Sequence, residues 1–115
     1  MDRPEWVAVH PKNKDVYVTL TNNSDRGSQI PLNAANPRAS NSMGHIVRWS
    51  EANGDSAGTV FKWEIYTLAG DPNSTQAHLR RNVIGDTLGS PDGLWFDRRG
   101  ILWTQTDIST SALGK

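Results

Sequence analysis

Two short phrases in this sequence place a carboxylate directly behind a proline. One is Arg3-Pro4-Glu5-Trp6 and the other Ser90-Pro91-Asp92-Gly93. Glu5 and Asp92 carry oxygen donors, and oxygen donors that converge suit a hard cation such as calcium. Pro-Asp-Gly is also an ordinary turn sequence, so either phrase alone admits that simpler reading. The surroundings favour more, because each phrase opens the same pattern. Trp6-Val7-Ala8-Val9 reads as a strand, residues 10–15 as a turn and Val16 to Thr21 as a return strand. Gly93-Leu94-Trp95-Phe96 is likewise a strand, Asp97-Arg98-Arg99-Gly100 a turn, and Ile101 to Thr106 the return. Alternating β-branched and aromatic residues carry those assignments.

Glu5 and Asp92 therefore occupy equivalent points of one repeated unit, 87 residues apart. A plain four-stranded propeller blade takes about 40–45 residues, so one blade with a long insertion fits. In a propeller the start of each innermost strand lies at a mouth of the central channel, where repeated carboxylates would converge. The expected fold class is all-β: an antiparallel β-meander making about one and a half blades of a β-propeller. The expected division is a first blade at 3–68, a connecting loop at 69–89, the start of the next blade at 90–107 and a tail at 108–115.

The elements between the two phrases follow from periodicity and punctuation. Residues 22–43 lack periodicity and are long for a compact domain; they read as a flexible excursion, or as a functional loop in which Asn36-Pro37-Arg38 places an arginine near a bound anion. Residues 44–49 form the third strand. His45 at its start reads as a structural hydrogen-bonder ahead of a ligand or general base. Residues 51–58 are a turn and Thr59 to Leu68 the fourth strand. Phe61, Trp63, Ile65 and Thr67 share its expected core face, with Val60, Lys62, Glu64 and Tyr66 opposite. Residues 76–84 are ambiguous, with a short helical turn expected within 77–82. Arg80 and Arg81 read as a solvated pair.

Composition excludes several classes. The chain has 115 residues, with 12 Lys plus Arg against 12 Asp plus Glu. A net charge of zero offers no nucleic-acid or membrane footprint. Without cysteine, the chain can form no disulfide, thiolate metal site or cysteine nucleophile. No apolar run approaches the roughly 20 residues of a membrane span. The first strand begins almost at once, so no export signal is expected within these residues. Propellers typically have 4–8 blades, so the abrupt start and end suggest a piece of something longer. Walker, dinucleotide-glycine, nucleophile-elbow and zincin motifs are all missing.

Read together, Arg3-Pro4-Glu5-Trp6, Asn36-Pro37-Arg38 ahead of Gly44-His45-Ile46-Val47-Arg48-Trp49, Phe61-Lys62-Trp63-Glu64 running into Ala69-Gly70-Asp71-Pro72, and Ser90-Pro91-Asp92-Gly93-Leu94-Trp95-Phe96-Asp97 ahead of Gly100-Ile101-Leu102-Trp103 resemble the PhoX-type alkaline phosphatases of bacteria. The resemblance spans nearly the whole chain. It implies a large β-propeller-like enzyme, exported folded by the twin-arginine route to the periplasm or beyond, that hydrolyses phosphomonoesters with an iron and calcium cofactor. By motif match it implies that Arg3 contacts the substrate phosphate, that Glu5 binds calcium, and that Asp92 is a further calcium ligand. The family's iron ligands include a cysteine that this chain lacks, so the stretch alone is expected to be inactive.

Two other readings stay open at this point. Pro-Asp-Gly-Leu with Asp-x-x-Gly-x-Leu-Trp is also similar to calcium-dependent lactonase propellers. A non-catalytic β-module is the third. In each case a blade cut from its neighbours exposes aromatics such as Trp63, Trp95 and Trp103. Its sheets must then pack on each other or chains must self-associate through faces or edges.

Overall fold

The computed structural model describes residues 1–82 and 84–113. Val83, inside the ambiguous stretch and the connecting loop, and Gly114 and Lys115, in the expected tail, lie outside the described residues. Among the described residues six strands form two antiparallel sheets. β1 (Pro4–Val9), β2 (Val16–Leu20), β3 (His45–Glu51) and β4 (Phe61–Leu68) make a meander in that order. β5 (Pro91–Phe96) and β6 (Leu102–Thr106) form a separate hairpin. This is one complete blade followed by the first half of a second, as the alternation of apolar residues predicts. A 3₁₀ turn at Ala77–Leu79 is the helical turn expected within 77–82.

The hairpin packs across one face of the meander. Tyr17, Ile46 and Leu94 are buried between them, with Ala8, Phe96 and Leu102 packed alongside. Tyr17 meets Phe96 and Tyr66 edge-on, each at 5.0 Å between ring centroids. Fully burying an apolar side chain contributes about 2 kcal/mol, so this small cluster joins the half-blade to the blade. Of the two outcomes considered for a cut-out blade, sheet-on-sheet packing is therefore present on this face.

The opposite face of the meander buries Val18, Leu20 and Val47 against Trp49. Towards its other end, Val7, Val9, Phe61 and Trp63 are about half exposed. The hairpin's outer side likewise exposes Trp95 and Trp103.

The expected core face of β4 needs correcting. A bulge interrupts the β3–β4 register, so Ile46 faces Thr67 while Val47 faces Ile65. Cross-strand partners share a face, and an extra residue in one strand flips the alternation. Thr67 therefore sits on the hairpin side with buried Ile46, whereas Ile65, Trp63 and Phe61 sit on the other. Strict period two cannot anticipate that flip. Phe61 and Trp63 are 55% and 44% exposed and belong to an uncovered face rather than to a core.

The loop at 22–43 is also unlike the flexible excursion expected. Arg26, Asn36, Arg38 and Asn41 are buried within it. Arg26 Nε donates to Asp2 Oδ1 at 2.7 Å and its NH1 to the Pro31 carbonyl at 2.6 Å. Asn41 Nδ2 donates to Asp2 Oδ2 at 3.0 Å, and Asn36 Oδ1 accepts from the Asp2 amide at 2.9 Å. Low hydropathy suggests disorder only when polar groups lack partners; here most of them pair with one another or with backbone carbonyls and form a polar core. Burial leaves the Asp2–Arg26 pair little screened.

Candidate functional site

Both Pro–acid phrases build the same backbone device. Arg3 and Ser90 take positive φ angles of 51° and 47°, a conformation uncommon outside glycine. Their carbonyls each accept from the return strand, from Thr21 N at 3.1 Å and from Asp107 N at 2.9 Å. Each strand then bulges. In β1 the pairs Pro4–Leu20 and Val7–Val18 leave Glu5 and Trp6 opposite Thr19 alone. In β5 the pairs Pro91–Thr106 and Leu94–Thr104 leave Asp92 and Gly93 opposite Gln105 alone. A bulge re-aims the side chain it carries, and here it carries the acid twice. Gly93 occupies in the second copy the place of Trp6 in the first, and a Cβ there would meet only the movable end of the Gln105 side chain, 2.7 Å from Oε1.

The two devices are adjacent, since β1 and β5 pack directly against each other. Asn22 reaches both residues that precede the prolines. Its Oδ1 accepts from Arg3 NH1 at 3.0 Å and its Nδ2 donates to Ser90 Oγ at 3.4 Å. The Thr19 hydroxyl accepts from Trp6 N at 3.0 Å and donates to the Asp92 carbonyl at 2.8 Å. Thr21 Oγ1 donates to the Pro91 carbonyl at 2.9 Å. Sequence reasoning passed over Asn22, Thr19 and Thr21. The Thr-x-Thr-Asn spacing across the end of β2 is the available signal, since period two points both threonines to one face.

Arg3 is 56% exposed and lies 3.5 Å from Glu5 Oε1. An exposed pair of that length is held weakly, so the guanidinium is available to an anion. Glu5 is exposed and Asp92 partly buried. Among the described residues none donates a hydrogen bond to the Asp92 carboxylate. Calcium takes 6–8 oxygens, so two carboxylates at adjacent strand openings would supply only a minority of its ligands. Among the described residues no three His, Cys, Asp or Glu side chains gather into a metal cluster. With no cysteine either, the donor set does not fit an iron centre.

Two other polar residues are structural. Arg38 donates to the Ala69 carbonyl at 2.7 Å and to that of Gly44, and burial lowers its pKa to about 10. It ties the loop to the ends of β3 and β4 and does not reach an anion site at the strand openings. The alternative role for Asn36-Pro37-Arg38 is thereby overturned, because the guanidinium is buried and turned onto the backbone carbonyls of Ala69 and Gly44. His45 is fully buried, with Nε2 2.7 Å from the Ala35 carbonyl and Nδ1 3.1 Å from Asn41 Nδ2. Nε2 donates and Nδ1 accepts in the neutral ring that burial favours; desolvation lowers its pKa, assisted by Arg38. The expected structural role for His45 holds.

An apolar cleft of about 540 Å³ opens beside the acids, lined by Trp6, Leu94, Trp95, Trp103, Thr104 and Gln105. It has the character of an uncovered sheet face rather than of a phosphate site.

Comparison with known proteins decides the family. The family model described as alkaline phosphatase PhoX matches residues 1–114. This chain belongs to the PhoX alkaline phosphatase family. Among solved structures it is similar to Pseudomonas fluorescens PhoX in complex with vanadate, a transition state analogue, at 41% identity and a TM-score of 0.89. The alignment covers 96% of this chain and 20% of that one, so the chain spans about a fifth of its length. No curated protein sequence matches. Membership in PhoX decides against the lactonase-like propellers. The bulged strand pair with its Pro–acid opening accordingly lies in a fold shared with a phosphatase.

Proposed function

We propose that this chain is one segment of a metal-dependent phosphatase acting on phosphomonoesters, and that it supplies Arg3 to the substrate phosphate and Glu5 and Asp92 to calcium. The observation that supports this reading most is the repeated bulge, which presents an acid at two adjacent strand openings in a chain 41% identical to a phosphatase captured with vanadate.

Each residue has a physical task. A phosphomonoester is dianionic near neutral pH, and a guanidinium can hold two of its oxygens in one plane. Arg3 is exposed and engaged at the surface by Glu5 and Asn22, so it can turn to the anion without breaking a buried pair. Calcium neutralises charge on the phosphoryl group and orients it. Glu5 and Asp92 act there as ligands, not as general acids. Iron, which the family resemblance implies, would be held by residues outside this chain, and the chain alone is expected to be inactive. Export to the periplasm or beyond follows from the same family reading. The uncovered faces at Phe61 and Trp63 and at Trp95 and Trp103 fit self-association of the isolated chain. No helix among the described residues is long and apolar enough to cross a membrane.

The test is a magnetic resonance titration, which detects weak binding. Calcium chloride should shift the side-chain carboxylate carbons of Glu5 and Asp92. Inorganic phosphate added next should shift the Arg3 Nε–H, and Arg3→Gln should abolish the phosphate response while leaving the calcium response. Shifts confined to other carboxylates, or a phosphate response that survives Arg3→Gln, would overturn the assignment.

A further inference from the structure

We infer that Thr19 is a positioning residue: its single hydroxyl sets Glu5 and Asp92 relative to each other, and so sets the cation affinity of the pair. The inference rests on the proposed role of those two acids. Its geometry is independent of that role. Thr19 is the lone residue opposite the β1 bulge, so its side chain faces the Glu5–Trp6 peptide. It is fully buried. Its oxygen accepts from the amide directly after Glu5 and donates to the carbonyl of Asp92, at 3.0 and 2.8 Å. One hydroxyl thus joins the backbones of both acid-bearing bulges, although the acids belong to different sheets.

A hydroxyl is the group suited to this, because it donates and accepts at once through one atom. Valine has nearly the same shape and can do neither. Thr21 offers an internal contrast. It is equally buried on the same face, but among the described residues its hydroxyl reaches only the Pro91 carbonyl and makes no bond to β1. Thr21 therefore holds β5 to β2, whereas Thr19 holds one acid in register with the other. The second copy has no such bridge, because Gln105 stands where Thr19 stands in the first.

Calcium titration of this chain, followed by magnetic resonance beside thermal melting, tests the assignment. Thr19→Val is expected to weaken calcium binding about tenfold, the scale on which supporting hydrogen bonds around a metal site act. Thr19→Ser, which keeps the hydroxyl, should restore binding to within about twofold of the wild type on that scale. Thr21→Val should lower the melting temperature and leave calcium affinity nearly unchanged. Glu5→Gln and Asp92→Asn serve as references. Wild-type affinity in Thr19→Val, with both reference variants weakened, would overturn this inference and leave the ligand assignment standing. Unchanged affinity in both reference variants would overturn the ligand assignment and this inference with it. Equal weakening in Thr19→Val and Thr21→Val would mean general loosening and would also overturn it. Should Thr19→Val fail to fold, Thr19→Cys, a weak donor, must show an intermediate loss.

Discussion

The two Pro–acid openings share a backbone and differ in what holds it. At the first, Asp2 sits immediately before Arg3 and is locked by Arg26, Asn36 and Asn41 in a buried charged network. At the second, Ser90 is itself buried. Its hydroxyl donates to the Ser42 carbonyl at 3.2 Å and its amide to Met43 at 2.7 Å. The left-handed residue is an exposed arginine in one copy and a buried serine in the other. The acid's geometry thus belongs to the repeat, while its neighbour is specialised. Anchoring from Asp2 leaves the Arg3 side chain outside, where a ligand can meet it. Anchoring through Ser90 itself consumes the side chain.

The largest effect should come from breaking the charged anchor. Arg26→Met leaves the Asp2 carboxylate buried without its partner, and a loss of about 3–5 kcal/mol is expected in urea unfolding. Ser90→Ala removes only neutral hydrogen bonds and should cost about 1 kcal/mol. Equal losses would erase the difference between the openings.

Backbone strain gives a smaller effect at the second opening. Ser90→Val places a β-branched residue at positive φ and should destabilise by about 1–3 kcal/mol. Ser90→Gly relieves that conformation and should stay within about 1 kcal/mol of the wild type. Thermal melting of the pair checks it, and a valine variant as stable as the glycine one would remove strain as a feature of this opening.

The two regions should also respond to pH separately. His45 belongs to the first network, and its folded pKa lies below the ordinary 6.5. Below pH 6.5 the unfolded chain takes the proton first, so stability should fall with pH there. His45→Gln should remove that part of the slope in pH-dependent melting. Asp97 belongs to the second hairpin's turn. Desolvation pushes its carboxyl up, but Arg99 and the amides of Ile101 and Arg99 outweigh that and hold it at about 2 against 3.8. Its contribution is present above pH 3.8 and is lost as pH falls towards 2. Asp97→Asn should lower the melting temperature most at neutral pH and converge on the wild type as pH falls towards 2, which flattens the pH dependence in that acid range. A shared midpoint for both variants would contradict two separately anchored regions.

Much of the architecture was legible because it is local. Alternating Val16-Tyr17-Val18 or Leu102-Trp103-Thr104 specifies a strand wherever it lies, and the repeated phrase aligns Glu5 with Asp92 before any contact is known. The family was legible in the same way, from the order of phrases. Arg38 and the loop around it were not, because hydrophilic composition cannot reveal that Ala69 and Gly44 present carbonyls to a guanidinium. The β4 faces failed for a related reason. A bulge is set by pairing with β3, and Phe61 and Trp63 change sides without any change in their own sequence.

By itself, then, the sequence determined the strands, their repeat and the residue types offered at each opening. These follow from side-chain period and backbone preference within a few residues. Only the tertiary structure decided which polar groups are spent on burial and which stay available. Arg26, Arg38 and His45 are consumed by buried partners outside their own turn or strand, Arg3 is left in solvent, and the Thr19 hydroxyl bridges two bulges. Hydrogen bonding is satisfied in space and not along the chain, so that selection waits for the fold.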